Sequence, residues 1–359
     1  MNLLAQTLAR ITPQDTLWRS KARDRLDQLV MPHWALGRLM DLALDLAGIT
    51  RSMCPPVARK TIITMAGDHG VAAEGVSRYP QEVTTQMVQG FASGLAGINV
   101  LARLAGARVM VVDMGVAGDL RPLVEAGKIV SKRVAPGTAN IAVGPAMTPE
   151  QALRAVEAGI EIVDALADSV DVLGTGDMGI ANTTPSTAVV AALTGTPVAD
   201  VTGRGTGIDD GQLARKIAVV QAALERNHPD PRDGLDVLAK VGGFEIGGIA
   251  GVVLGAAAHR KPVLIDGFIS TAGALIARSL CPTAAEYVIA AHRSVEPGHR
   301  KMHQFLGKEP LLDLNLRLGE GTGAALAMHL VDAAQRILTE VATMAEAHVT
   351  EAHASEKSS

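Results

Sequence analysis

Between residues 60 and 292 the chain repeats one pattern: a short apolar run, then a glycine-rich turn that carries an acid or a histidine. The apolar runs are residues 61–66, 108–112, 170–173, 196–201, 262–265 and 287–291. Helical patterns such as residues 92–105 and 211–226 separate them. This alternation predicts an α/β fold with a parallel sheet that is covered on both faces. The polar turns then gather at the carboxyl ends of the strands, where open α/β sheets bind ligands.

Both ends of the chain carry helical patterns. Residues 13–48 predict a small helical unit, because leucines and alanines recur at helical spacings on either side of Pro32. Two consecutive prolines then favour an extended linker at residues 53–56. A long helix is predicted for about residues 324–347, and the polar stretch 351–359 is expected to fray. Since a chain of 359 residues exceeds the usual size of a single core, we expect one large domain and a smaller unit.

Composition disfavours several classes of function. Aromatic residues make up 2% of the chain and the net charge is −4, so neither base stacking nor charge favours nucleic acid as a partner. The only cysteines, Cys54 and Cys281, lie far apart, which predicts no disulfide framework or zinc knuckle. Prolines interrupt the uncharged stretch 178–199, so we expect no membrane span there. The first residues lack a basic segment before an apolar run, and a cytoplasmic location is expected.

One carboxylate, Glu320, lies between two glycines where alternating leucines give way to a helical pattern. Flanking glycines let the backbone approach a ligand closely, and an acid in that place can accept a proton from the ligand. The other interpretation is that Glu320 only caps the helix that follows, because a carboxylate near a helix N-terminus is favourable without any function. The spacing alone leaves both interpretations open.

The run Gly174–Gly179 follows a predicted strand and formally matches the dinucleotide fingerprint GxGxxG. In that fingerprint the helix opens within the motif, whereas here the helix-start signals come later, at Asn182–Pro185. The glycines, two threonines and an exposed helix N-terminus instead favour an anion site that suits a phosphomonoester.

A second glycine loop, residues 203–210, precedes a helix that carries Lys216 near its start. Lys216 is a candidate phosphate partner, and the alternative is a solvated lysine on a helix face. His299 and His303 have the i, i+4 spacing of a metal-binding pair. Because no third ligand lies at a fixed spacing from them, we predict no metal site.

Six ordered motifs resemble those of the nicotinate-nucleotide:dimethylbenzimidazole phosphoribosyltransferases, which activate the lower ligand of cobalamin. The motifs are AGDHGV (66–71), YPQEVT (79–84), GDMGIANTT (176–184), GRGTGIDD (203–210), VGGFE (241–245) and RLGEGTGA (317–324). The similarity extends over about residues 60–330. It implies a Rossmann-like large domain at residues 57–324, a small helical domain built from residues 1–56 and 325–359, and a homodimer.

The resemblance also implies roles for individual residues. The family's catalytic base is the glutamate of its last motif, which is Glu320 in this chain. The positions that contact ribose and phosphate lie in the central loops and correspond to Gly176, Asp177, Asn182, Gly205, Lys216 and Ser294. The chain departs from the family's pattern at Asp177, where glutamate is usual, and this side chain is one methylene shorter but keeps the charge.

The resemblance places the acceptor base near the segment from Tyr79 to Met87, and Leu318 must lie close to Glu320, two residues away. A phenol ring and a leucine suit the two faces of a flat apolar ring, while Met87 fills gaps and Gln86 offers a polar amide. The alternative is that Gln86 and Met87 are ordinary helix positions, one exposed and one in the core.

The chemistry of such a transfer needs little from the protein. The nicotinate of nicotinate mononucleotide leaves C1′ as a neutral pyridine nitrogen, while the incoming benzimidazole must lose its N–H proton, so one base suffices and no metal or other cofactor is required. We therefore predict transfer of phosphoribosyl to 5,6-dimethylbenzimidazole, giving α-ribazole 5′-phosphate and nicotinate. The rival hypotheses are an NAD-dependent oxidoreductase that uses the 174–179 glycines and a nucleotide-sensing module without catalytic activity.

Overall fold

The structure, a computed structural model, describes residues 2–350, so the predicted tail 351–359 lies outside the described residues. The strands are β1 (Lys60–Gly67), β2 (Ala107–Gly115), β3 (Val130–Ser131), β4 (Val172–Met178), β5 (Val263–Ile265) and β6 (Val288–Ala290). The helices are α1 (Leu3–Arg10), α2 (Thr16–Leu26), α3 (Arg38–Thr50), α4 (Val83–Ala92), α5 (Gly97–Leu104), α6 (Arg121–Glu125), α7 (Pro149–Leu166), α8 (Thr183–Thr194), α9 (Val198–Val201), α10 (Asp210–Asn227), α11 (Gly234–Val241), α12 (Phe244–Ala258), α13 (Phe268–Leu280), α14 (Pro297–Leu306) and α15 (Thr322–Glu340).

The strands form one parallel sheet in the order β3-β2-β1-β4-β5-β6. This is the strand order of the doubly wound Rossmann sheet, in which ligands bind at the carboxyl edge where the order reverses. Here the reversal lies between β1 and β4. The predicted Rossmann-like α/β fold with a parallel sheet is confirmed.

Helices cover both faces of this sheet, as the sequence predicts. Ile62 of β1 lies against Gly174 and Gly321, whereas Met65, on the opposite face of the same strand, lies against Gly248 of α12. Both side chains are fully buried. Since successive residues of a strand point to opposite faces, burial on both sides requires a layer of packing on each.

The structure differs from the predicted elements at two places that matter for the site. Residues 196–201, predicted as a strand, contain the short helix α9, because Pro197 stands directly before its first turn and suits a helix start. Strand β4 runs through Gly174 and Gly176 to Met178, so most of the predicted 174–179 glycine loop is strand. The dinucleotide fingerprint needs its glycines in the turn after the strand, and that interpretation is therefore wrong.

The larger of two compact units comprises residues up to Pro13 together with Ala58–Met328 and holds the whole sheet. Its N-terminal segment is fixed to it by the Tyr287 hydroxyl, which donates a hydrogen bond to the Thr12 carbonyl oxygen at 2.8 Å. Residues up to 13 and residues 325–328, which the resemblance implies are part of the helical domain, belong instead to this larger unit. Within residues 2–350, no helix has the length and apolar character to span a membrane.

The smaller unit is helical and comprises Gln14–Val57 together with the described residues from His329 onward. The α2 residue Arg25 donates its Nε–H to the Leu338 carbonyl oxygen at 2.8 Å, and Leu29 pairs with Thr343 in an isolated antiparallel bridge. The long C-terminal helix ends at Glu340, before the predicted residue 347.

Candidate active site

The turn that carries Glu320 lies over the carboxyl ends of β1 and β4. The Thr64 hydroxyl of β1 donates to the Glu320 carbonyl oxygen at 2.9 Å, and the Glu320 N–H donates to the Asp177 carbonyl oxygen at 3.2 Å. A Cβ on Gly176 would collide with the Glu320 carbonyl group. The predicted residues Gly176 and Glu320 therefore meet directly, and Gly176 serves by leaving room for the turn.

The backbone of this turn is unusual, because Gly319, Glu320 and Gly321 all have positive φ, of 80°, 64° and 102°. A non-glycine residue in this region is uncommon, and strain of this kind persists only where the surroundings fix it. The tertiary contacts of the turn therefore determine where the Glu320 side chain points.

Glu320 is 4% exposed, and its Oε2 accepts a hydrogen bond from the Ile98 N–H of α5 at 3.1 Å. Burial raises the pKa of Glu320, and the nearby charge of Asp266 adds to this rise, while the Ile98 N–H lowers it. Leu318 lies close by, because both Leu318 and Glu320 line the space beside Gly97. A buried carboxyl group with a raised pKa suits a general base.

Asp266, which directly follows the apolar run 262–265, takes the helix-capping role that was one of the two interpretations of Glu320. Its carboxylate accepts hydrogen bonds from the N–H groups of Gly321, Gly323 and Ala324 at 3.0, 2.6 and 3.0 Å. The interpretation of Glu320 as the cap of α15 is therefore wrong. Asp266 does follow an apolar strand at the carboxyl edge, which is the signal that points to it.

Asp177 and Asn182 come together beside Glu320. The Asn182 side chain donates to Asp177 Oδ2 at 3.0 Å, while Asp177 Oδ1 is buried and has no hydrogen-bond partner among the described residues. Burial raises the pKa of Asp177 well above its ordinary value, and the charges of Asp266 and Glu245 raise it further. This shift comes first from burial, which disfavours the charged form of the carboxyl group.

His69 and Glu245 form a second buried pair next to this cluster, with His69 Nε2 at 2.9 Å from Glu245 Oε1. Burial alone would lower the pKa of His69, but the charge of Glu245 raises it. In the sequence both residues lie within the quoted motifs, His69 in residues 66–71 and Glu245 in residues 241–245. Only the fold brings them together, because they come from the end of β1 and the start of α12.

Lys216, Gly205 and Ser294 gather at the second glycine loop. Lys216 is fully buried, and its Nζ donates to the Thr183 hydroxyl at 2.7 Å and to the Gly203 carbonyl oxygen at 3.1 Å. Burial lowers the pKa of Lys216 to about 8, against the opposing charge of Glu296. The solvated-lysine alternative is therefore wrong.

Glu296 links the remaining parts of this cluster. Its Oε1 accepts a hydrogen bond from the Gly205 N–H at 2.9 Å, and its own N–H donates to the Ser294 hydroxyl at 3.4 Å. Gly205 has a φ of 50°, which suits glycine. The structure thus brings the predicted Gly205, Lys216 and Ser294 into one cluster and adds Glu296, which sequence spacing does not reveal.

The four predicted acceptor-pocket residues differ in their exposure to solvent. Leu318 is 60% exposed beside Glu320, and Tyr79 is 50% exposed before α4. Gln86 is exposed and Met87 half-buried on α4. Met87 lies three residues after Thr84 on α4, and the Thr84 hydroxyl accepts the Ile180 N–H of the loop after β4 at 3.1 Å.

His299, one of the two histidines at metal-ligand spacing, is held by hydrogen bonds within the protein. Its Nε2 lies 2.8 Å from the Thr271 hydroxyl, and its Nδ1 accepts the Ser294 N–H at 2.8 Å, so both ring nitrogens are engaged. Across residues 2–350 no group of three or more His, Cys, Asp or Glu side chains is arranged to hold a metal ion.

Comparison with known proteins gives matches over nearly the whole chain. A phosphoribosyltransferase family model matches residues 11–349. The nicotinate-nucleotide–dimethylbenzimidazole phosphoribosyltransferase of Syntrophotalea carbinolica is 64% identical over 98% of this chain and 99% of its own length. That of Desulfotalea psychrophila is 59% identical over the same shares.

Solved structures agree with the sequence relatives. The crystal structure of CobT from Thermus thermophilus has a TM-score of 0.89 to this chain at 48% identity, covering 94% of this chain and 100% of that one. Its fold is therefore that of the present chain. The chain is an enzyme and belongs to the nicotinate-nucleotide–dimethylbenzimidazole phosphoribosyltransferase family.

Proposed function

We propose that the protein transfers the phosphoribosyl group of nicotinate mononucleotide to 5,6-dimethylbenzimidazole, giving α-ribazole 5′-phosphate and nicotinate. The main support for this proposal is the position of Glu320. It is a buried carboxylate with a raised pKa at the carboxyl edge of the sheet, where the strand order reverses between β1 and β4. The names of the relatives supply the substrates, and the residues of the site supply a base for the one proton that the reaction must remove.

In the proposed reaction one nitrogen of the acceptor attacks C1′ as the bond from C1′ to the pyridine nitrogen breaks. The electron pair of the broken bond stays on nicotinate, which leaves without needing a proton. The acceptor's other nitrogen loses its proton to Glu320. Attack from the face opposite the leaving group converts the β-nucleotide into an α-ribotide, and this chemistry requires neither a metal nor another cofactor.

We place the phosphate at the cluster of Gly205, Lys216 and Ser294. An ammonium group has three donors, and the Thr183 hydroxyl and the Gly203 carbonyl oxygen take two of those of Lys216. The N-terminus of α8 begins at Thr183 and adds amide groups that favour an anion. We place the ribose beside Gly176 and Asp177, at the end of β4, and beside Asn182, which directly precedes α8.

The lowered pKa of Lys216 makes the affinity for nicotinate mononucleotide dependent on pH. Protonated Lys216 binds the phosphate, which is already a dianion above pH ~7, so affinity should fall as pH rises through about 8. Calorimetric titration between pH 6.5 and 9.5 measures this. The Lys216→Met variant should lack the transition, and an equal fall in both proteins would assign the dependence to another group.

We place the acceptor ring between Tyr79 and Leu318, with Met87 and Gln86 at its edge. Met87→Ala should shift preference away from 5,6-dimethylbenzimidazole toward unsubstituted benzimidazole by roughly tenfold, because one methylene in an apolar pocket is worth about 1–3 kcal/mol. Competition of the two acceptors in one tube measures the ratio. Gln89→Ala, on an exposed position of the same helix, is the control, and an unchanged ratio in Met87→Ala would place the pocket elsewhere.

Incubation of the pure protein with nicotinate mononucleotide and a panel of benzimidazoles, purines and phenols tests the function, with products identified by mass spectrometry. An α-ribotide of 5,6-dimethylbenzimidazole is expected. Binding without turnover would instead favour a nucleotide-sensing module. We further propose a homodimer in the cytoplasm, which sedimentation and cell fractionation can test.

A further inference from the structure

Asp266 holds the backbone on the C-terminal side of Glu320. Its side chain is fully buried at the end of β5, where Oδ2 accepts the Gly321 N–H and Oδ1 accepts those of Gly323 and Ala324. The first amides of a helix have no partner within the helix. One carboxylate therefore serves three of these groups and fixes the point at which the Glu320 turn becomes α15.

His292 lies on the other side of Asp266. Its Nε2 is 3.6 Å from Asp266 Oδ1, and the ring is 2% exposed. A Cβ on Gly323 would collide with this ring, so the imidazole lies directly on the start of α15. The pair thus forms one packed unit with the residues that follow Glu320.

The Glu320 turn depends on such external contacts because its own conformation is unfavourable. Glu320 has a φ of 64°, which a side chain with a Cβ rarely adopts. Thr64 and the Asp177 carbonyl group hold Glu320 itself, whereas Asp266 holds the three amides beyond it. Loss of the Asp266 contacts would leave the base without its fixed direction toward the substrate.

We propose that Asp266 is a positioning residue that acts on the reaction through Glu320, with His292 as its buried partner. This inference rests on the proposed function, in which Glu320 is the base. Effective catalysis requires reacting groups to be held in place, and a displacement of about 1 Å can cost roughly a hundredfold in rate.

The charge of Asp266 should also affect the pH dependence of the rate, which can be measured independently of kcat. The titratable groups that face Glu320 are Asp266 at the end of β5 and Asp177 at the end of β4, while α5 contributes the Ile98 N–H. The charge of Asp266 raises the pKa of Glu320. Removing that charge lowers this pKa, so the acid limb of the pH–rate profile should move to lower pH.

The test compares Asp266→Asn with Asp113→Asn in the full-length enzyme. Asp113 is the matched control, because it is a buried aspartate at the end of β2 whose Oδ1 accepts the N–H groups of Gly115 and Val116. We expect kcat of Asp266→Asn to fall about tenfold or more, with KM for nicotinate mononucleotide nearly unchanged and the acid limb shifted. Asp113→Asn should keep both kcat and the position of the acid limb.

Hydrogen exchange of the segment 318–326 separates this proposal from the proposed function. Exchange there should be faster in Asp266→Asn than in Asp113→Asn, whether or not the wild-type enzyme forms the expected ribotide. If Asp266→Asn does not fold, His292→Asn takes its place, with a smaller loss of kcat at unchanged KM and the same faster exchange. Unchanged exchange, or a kcat equal to that of the control, would overturn the role of Asp266.

Discussion

Glu320→Gln should fold normally and lose most of its turnover, by roughly 10²- to 10⁴-fold, which is the usual contribution of a general base. The amide keeps the shape of the side chain and still offers an oxygen to the Ile98 N–H, which the carboxylate accepts at 3.1 Å in the native protein. It cannot accept the proton that leaves the acceptor ring. The measurement is kcat at saturating concentrations of both substrates.

The same change should also alter the pH dependence of the reaction. Glu320 acts when ionised, and its raised pKa means that wild-type turnover falls as pH decreases through a value above that of an ordinary glutamate. The residual turnover of Glu320→Gln should lack this step. Glu161→Gln, the same substitution on α7 where the carboxylate pairs with Lys132 and Arg154, is expected to keep normal turnover. Near-normal turnover in Glu320→Gln would remove Glu320 from the role of base.

Lys216→Met should weaken the binding of nicotinate mononucleotide by about ten- to hundredfold, because a hydrogen bond to a charged group is worth roughly 1.5–3 kcal/mol. Methionine keeps much of the volume of this fully buried side chain and removes only the ammonium group. Binding of the free acceptor base, which has no phosphate, should hardly change. Calorimetry with each ligand alone measures the two affinities.

Lys240→Met is the matched control for this variant. Like Lys216, Lys240 donates to two acceptors of the protein, the His228 carbonyl oxygen and Asp236, both at 2.9 Å, but it belongs to α11, outside the proposed phosphate cluster. The affinity of the Lys240→Met variant for the mononucleotide should equal that of the wild type. Circular dichroism checks that both variants are folded. If Lys216→Met weakens both ligands alike, Lys216 is a structural residue that joins Thr183 to the glycine loop.

The type of fold and the kind of site can be predicted from the amino-acid sequence alone. Short apolar runs separated by helical patterns indicate a parallel sheet, because strands that are buried on both faces consist mostly of apolar residues. The acids and glycines that follow those runs then lie at one edge. Glu320 can also be recognised from the sequence, because a charged residue between two glycines at the start of a predicted helix depends only on neighbouring residues.

The hydrogen-bond partners of the site residues cannot be read from the sequence. That Asp266 caps α15, that Glu320 reaches the amide of Ile98, and that Lys216 is buried against Thr183 all depend on hydrogen bonds between residues distant in sequence. Likewise β4 continues through glycines that would usually end a strand, because Gly174 and Gly176 leave room for α15 and the Glu320 turn. The periodicity of a segment reflects only which of its own residues are buried. The contacts named above join segments that are distant in sequence, and they form only when the chain folds and brings the ends of separate strands to one edge of the sheet.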